Sequence, residues 1–253
     1  MTRTTILVTG ASSGIGAALA KAYASPGAHL ILWGRNAQRL DQSARDCRAL
    51  GAAVQTLQFD LRDAGAIAGH IETYDDATPI DIAILNAGLG GTASAKDAAE
   101  SADRAFEVAT VNFTAQVVGA NAVAACMAKR GRGNIVLMSS VADTIPLPIA
   151  PTYAGSKAGL KMFAESLGVR LERHGVVVTL VSPGFVDTPM SRQVSTPKPF
   201  MITAEAAAAI IKRKIDSRKT RIVLPLLYAV LLTLFPWIPG PVRRKVLRAM
   251  PRS

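Results

Sequence analysis

A chain of 253 residues is long enough to bury a sizeable core as one α/β domain. Its two cysteines, Cys47 and Cys126, are far apart and have neither CxxC nor metal-ligand spacing, which excludes a disulfide framework and a zinc site and points to a reducing, cytoplasmic setting. The net charge of +11 is concentrated: residues 212–253 hold eleven basic side chains and one acid, Asp216, against 18 basic and 17 acidic residues in the first 211, which excludes a basic nucleic-acid groove spread over the fold and leaves an anionic surface as what the C-terminus would meet.

The opening "MTRTTILVTG" runs straight into a β-branched strand, without the apolar region and small-residue cleavage site of a signal peptide. It continues as "ASSGIGAALA", placing Gly10, Gly14 and Gly16, with Ser12, Ser13 and Ile15 between them, on a strand-to-helix turn. Such a turn lets the backbone approach a pyrophosphate at a helix N-terminus, so a dinucleotide site is expected there. Further apolar runs follow at strand length: "HLILWG", "VQTLQFD", "IDIAILNAG", "GNIVLMSS" and "VVVTLVSPG", each separated by a helix-patterned stretch. Short, nearly all-apolar strands alternating with helices predict a doubly wound parallel sheet in a single α/β domain. After the last of them, residues 186–201 carry three prolines and no periodicity, and read as a long loop at a strand's carboxyl end. The histidines His29, His70 and His174 fall outside these motifs and read as surface or helix-end residues, and Met162 and Phe163 as core.

The GxxxGxG spacing, the "NAG" of Asn86, Ala87 and Gly88, the serines Ser139 and Ser140, the "YAGSK" of 153–157 and the "SPG" of 182–184 occur in the order that resembles the short-chain dehydrogenase/reductase family. The resemblance covers residues 4 to about 190 and implies a Rossmann-type fold. Tyr153 and Lys157 match the family's YxxxK pair, and i, i+4 spacing puts both on one helix face, where the ammonium is expected to pull the phenol toward a working pKa. The resemblance further implies that Ser140 orients the substrate carbonyl and that Asn112 holds a relay water. It makes Asn86 a strand-fixing residue and places Asp60 at the adenine and Thr188 near the nicotinamide amide. Pro183 and Gly184 join Tyr153, Lys157 and the glycine turn as cofactor contacts. The second strand ends in Gly34 and Arg35 where NAD-dependent members place an acid, so NADP(H) is the expected cofactor, with NAD(H) the alternative.

Beyond that domain, "TAEAAAAIIKRKIDSRKTRIVLP" reads as a helix and a last strand ended by Pro225, so the domain spans 1–225 and an apolar, then basic, extension spans 226–253. The helical part of the extension, 226–235, covers about 15 Å, half a bilayer core, and Pro236 and Pro239 block its continuation, so a membrane span is disfavoured. An in-plane anchor on anionic lipid and a subunit interface or pocket lid stay open. The sequence reading is therefore an NADPH-dependent ketone reductase, a cytoplasmic homodimer or homotetramer, peripheral to a membrane through its tail. Its expected substrate is lipophilic, such as a long-chain acyl ketone, a sphingoid-type keto lipid or a steroid-like ketone. NAD-linked alcohol oxidation and a non-catalytic nucleotide-sensing scaffold are the rival readings.

Overall fold

In a computed structural model, which describes residues 4–91, 98–194 and 197–249, the apolar runs become strands of one sheet. β1 (Thr4–Thr9) leads into α1 (Gly14–Tyr23), followed by β2 (Ala28–Gly34), α2 (Ala37–Ala49), β3 (Ala53–Gln58), α3 (Ile67–Ala77) and β4 (Ile82–Leu85). α4 (Ala102–Ala109), a π turn (Thr110–Thr114) and α5 (Ala115–Arg130) form one helical stretch, and β5 (Gly133–Met138), α6 (Pro151–Glu172) and β6 (Val176–Pro183) come next. The chain continues through β7 (Val186–Asp187), α7 (Pro189–Arg192), β8 (Ile202–Thr203), α8 (Ala204–Asp216), β9 (Arg221–Leu224), α9 (Leu226–Leu234) and α10 (Gly240–Ala249).

Seven parallel strands lie in the order β3-β2-β1-β4-β5-β6-β9, a Rossmann-type sheet whose order reverses at β1, with β7 and β8 forming a separate parallel pair. Alternation along β1 shows why both faces need cover: Ile6 and Val8 join a core with Leu19 of α1 and Ile211 of α8, while Leu7 joins one with Ile71 of α3 and Leu160 of α6. The crevice outside the carboxyl ends of the strands at the reversal is where such sheets bind ligands.

Three expectations are corrected. His29 is 2% exposed, because β2 is buried along its whole length. Met162 is 66% exposed, on the outward face of α6, whereas Phe163 packs against the core. The stretch 186–201 is not one loop: Thr188 caps α7 through a reciprocal pair with Ser191, each bond 3.1 Å, and β7 pairs with β8. That cap, followed by Pro189 at the first helical position, is a short-range helix start that periodicity does not register.

β9 pairs with β6 from Leu180↔Arg221 to Pro183↔Leu224. α9 then buries Tyr228 and Leu232, with Phe235 in the turn beyond, one face at i, i+4, i+7. Among the described residues only Ala102–Arg130 has the length and hydropathy of a membrane span, and 61% of its apolar window is buried inside the fold, as in a core helix; the Leu226–Trp237 helix is shorter than a span.

Candidate active site

The turn between β1 and α1 is built by glycine. Gly10 and Gly14 have φ of +69° and +55°, and a Cβ on Gly16 would lie 2.3 Å from the Gly10 carbonyl oxygen, so the helix can start against the strand only without one. Thr9 ties the turn to the next strand end, its Oγ1 accepting from the Asn86 amide at 2.9 Å and its carbonyl from Asn86 Nδ2 at 3.0 Å. Asn86 thereby fixes β1 to the segment after β4.

Above these strand ends lies a cavity of about 920 Å³. Gly10, Ser12, Ser13, Gly14 and Ile15 form its floor, and Arg35, Asp60, Asn86, Ala87 and Gly88 one side. Ser140, Tyr153, Lys157, Pro183, Gly184 and Thr188 line the other. Of the residues singled out from sequence, Gly16 and Asn112 lie behind the wall instead. Lys157 is 4% exposed and its Nζ donates to the Met138 carbonyl at 2.8 Å, 5.9 Å from the Tyr153 ring centre. Ser139 is structural, its hydroxyl donating to the Lys157 carbonyl at 3.3 Å.

Enclosure sets the titration of the pair. Burial pushes the Tyr153 phenol above its ordinary value, a hydrogen bond with Ser140 draws it down, and the Asp143 carboxylate pushes it up again. Burial brings Lys157 down to about 8, against which Asp143 acts in the opposite sense. The expectation that the ammonium would pull the phenol down is thus corrected for this structure: desolvation dominates, and Lys157 spends a proton on a carbonyl.

Asn112 is fully buried, its Nδ2 donating to the Leu89 carbonyl at 2.9 Å and its Oδ1 accepting from the Leu89 amide at 2.7 Å. The side-chain amide therefore shapes the turn after Gly88. Asp60 is drawn below the usual carboxylate range chiefly by the Arg62 guanidinium, with Arg35 adding to the effect. Thr188 Oγ1 is the cap of α7, on the cavity wall.

The floor of bare backbone, the α1 N-terminus and the cations Arg35 and Arg39 at one end fit a phosphate-bearing dinucleotide, whose pyrophosphate the glycine turn and whose 2′-phosphate the guanidiniums would hold. The short chain dehydrogenase family profile matches residues 4–199. The chain belongs to the short chain dehydrogenase family, a family of NAD(P)-dependent oxidoreductases. It is 34% identical over 198 residues to dehydrogenase/reductase SDR family member 7B of Bos taurus, a match covering 76% of this chain and 60% of that relative. Its fold is similar to a short-chain dehydrogenase from Sphingobium yanoikuyae solved in complex with NADPH, with TM-score 0.82, 27% identity and coverage of 99% of this chain and 97% of that one. The bulky-bulky ketone specific alcohol dehydrogenase from Comamonas testosteroni is comparable, with TM-score 0.81, 26% identity and coverage of 99% and 96%.

Within this family member the structure adds site residues that sequence reasoning missed. Asp143 has a fully buried side chain, accepting from the Ser182 hydroxyl, from Thr144 Oγ1 at 2.8 Å and from Arg221 at 3.3 Å. An acid three residues after Ser140, in otherwise apolar "VADTIPLP", was its one visible signal. Arg39 joins Arg35 on the wall, one turn along from it, and Arg104 is held there by Glu107 at 2.6 Å. Tyr228 of α9 and Arg244, Leu247 and Arg248 of α10 also line the cavity, so the extension forms part of its wall.

Proposed function

We propose that this chain is an NADPH-dependent reductase of lipophilic ketones. The observation that carries the proposal is the juxtaposition of Ser140, Tyr153 and enclosed Lys157 with a glycine-floored, arginine-ended cleft in one cavity. Bound dinucleotide would supply the hydride. The chain's own residues do the rest: Ser140 holds the ketone oxygen and Tyr153 gives it a proton, so ketone plus hydride plus proton becomes a secondary alcohol. The Lys157 ammonium stabilises the phenolate left by that transfer and offers N–H groups to the ribose. Asn112 acts by positioning, through Leu89, the backbone beside Gly88.

Support for a lipophilic substrate comes from the apolar side chains Ile145, Leu147, Ile149, Met190 and Leu247 on the cavity wall, and from the likeness to an alcohol dehydrogenase specific for bulky-bulky ketones. Arg35 and Arg39 support NADPH, as does the likeness to a structure holding it. Assembly as a homodimer or homotetramer is supported by exposed Phe106, Met162 and Val169 on α4 and α6. The test is Tyr153→Phe: NADPH oxidation in the presence of a long-chain ketone should fall by about two to four orders of magnitude, while the NADPH dissociation constant by fluorescence titration stays near that of the parent. Undiminished turnover in that variant would sink the proposal.

A further inference from the structure

The last acid in the chain is Asp216; from 217 to 253 there is none, while Arg243, Arg244, Lys245 and Arg248 crowd α10. α9 has two faces. Tyr228 and Leu232 point into the fold, and opposite them Leu226, Leu227, Val230, Leu231 and Leu234 stand exposed, Leu226 at 74%. Trp237 in the turn beyond is 84% exposed. α10 is likewise two-sided: Arg244, Leu247 and Arg248 line the active-site cavity, while Val242, Lys245 and Val246 face away from it. One continuous segment is therefore both an apolar, cationic outer surface and a wall of the catalytic cavity.

We propose that α9, the turn after it and α10 dock in the plane of an anionic lipid surface, and that the cavity wall they provide lets a lipophilic ketone enter from the bilayer. Charge and chemistry choose this occupant. A second copy would set cations against cations, since this segment has no carboxylate to offer in return. An acidic protein would meet the cations but leave the leucine face and Trp237 without a use. Anionic lipid meets all three: headgroups for the cations, the interface for the tryptophan, and the acyl boundary for the leucines. The helix is too short to cross, which suits lying in the plane. Lateral loading rests on the ketone-reductase reading; docking does not.

The experiment uses the full chain with phosphatidylcholine vesicles, with and without phosphatidylglycerol, and two variants chosen from side chains outside the cavity: Arg243→Glu with Lys245→Glu, and Leu234→Ser with Trp237→Ser. Sedimentation should show binding to the anionic vesicles only, weakened at least about tenfold by the charge reversal and by the apolar pair. NADPH oxidation with a small water-soluble ketone should be unchanged in both, which certifies folding, while reduction of a long-chain ketone embedded in anionic vesicles should fall in step with binding. An active wild type that ignores anionic vesicles, or variants that bind them as well as the parent, would overturn docking. Retention on an acidic acyl carrier protein without vesicle binding would also overturn it and reassign the surface. Vesicle-embedded ketone reduced equally by parent and weakly binding variants would overturn lateral loading. Vesicle binding as expected with no ketone reduced would uphold docking and remove the reductase reading instead.

Discussion

Asp143 puts a carboxylate beside the catalytic pair, and its charge has a definite sign of effect. It raises Tyr153 and it raises Lys157 against the downward pull of burial. The charged or titratable groups around it are Arg221 at 3.3 Å from β9 and, through Thr144, Lys161 of α6, whose Nζ donates to Thr144 Oγ1 at 3.0 Å. Asp143→Asn keeps the size and an acceptor for Ser182 but removes the charge. Tyr153 should then lose its proton at lower pH, and Lys157 should discharge further below about 8. The pH profile of alcohol oxidation in the variant should therefore shift to the acid side at both limits. A profile that does not move would mean that Arg221 already cancels the charge. At the far end of the cavity, Arg35 is exposed, so its pairing with a 2′-phosphate is screened by water. Arg35→Ala should lower the NADPH-over-NADH affinity ratio about tenfold, read by titrating each dinucleotide. Adding Arg39→Ala, one turn along on the same wall, should lower it further.

At the scale of elements, the π turn between α4 and α5 is what turns Asn112 toward Leu89. Asn112→Ala would leave the Leu89 N–H and carbonyl without their partner in a part-buried place. The cost should be roughly 2–3 kcal/mol, or a melting temperature about 5–10 °C lower, together with a reduced kcat as the Gly88 segment loosens. A variant as stable as the parent but slow would instead point to a direct role in catalysis. The π turn was not legible in "TVNFTAQ", because so short a stretch carries too few apolar positions to reveal a one-residue slip of the helical register. What was legible followed from burial on both faces: "HLILWG" and "GNIVLM" could be read as strands since no position on them meets water. The glycine turn was legible because only glycine tolerates those φ values and that approach. Met162 misled because helix α6 carries apolar side chains outward as well as inward, and sequence alone does not say which face is free. Asp143 and the cavity-lining residues of α10 were out of reach for another reason: the fold brings them to groups distant in the chain, Asp143 to Ser182 and Arg221, 39 and 78 residues on, and α10 to the wall shared with Tyr153 and Lys157.

For the molecule as a whole, the sheet separates two cores and also two tasks. The glycine turn belongs to α1, whose Leu19 is fully buried in one core; Tyr153 and Lys157 belong to α6, whose Leu160 is fully buried in the other. Leu19 sits three residues after Gly16 and Leu160 three after Lys157, so each packs directly beneath one part of the site. Truncating either to alanine should cost about 2–5 kcal/mol by urea denaturation. Because the two share no neighbours across the sheet, the double variant should lose the sum of the two to within about 0.5 kcal/mol. The functional consequences should divide. Leu19→Ala lets the α1 N-terminus shift and should raise the NADPH dissociation constant with kcat little changed. Leu160→Ala lets Lys157 and Tyr153 shift and should lower kcat by a larger factor than it raises the NADPH dissociation constant, Lys157 being one ribose contact among many on the dinucleotide. Equal losses in both quantities from either variant would mean that the sheet transmits disorder between its faces and that cofactor holding and proton transfer form one mechanical unit.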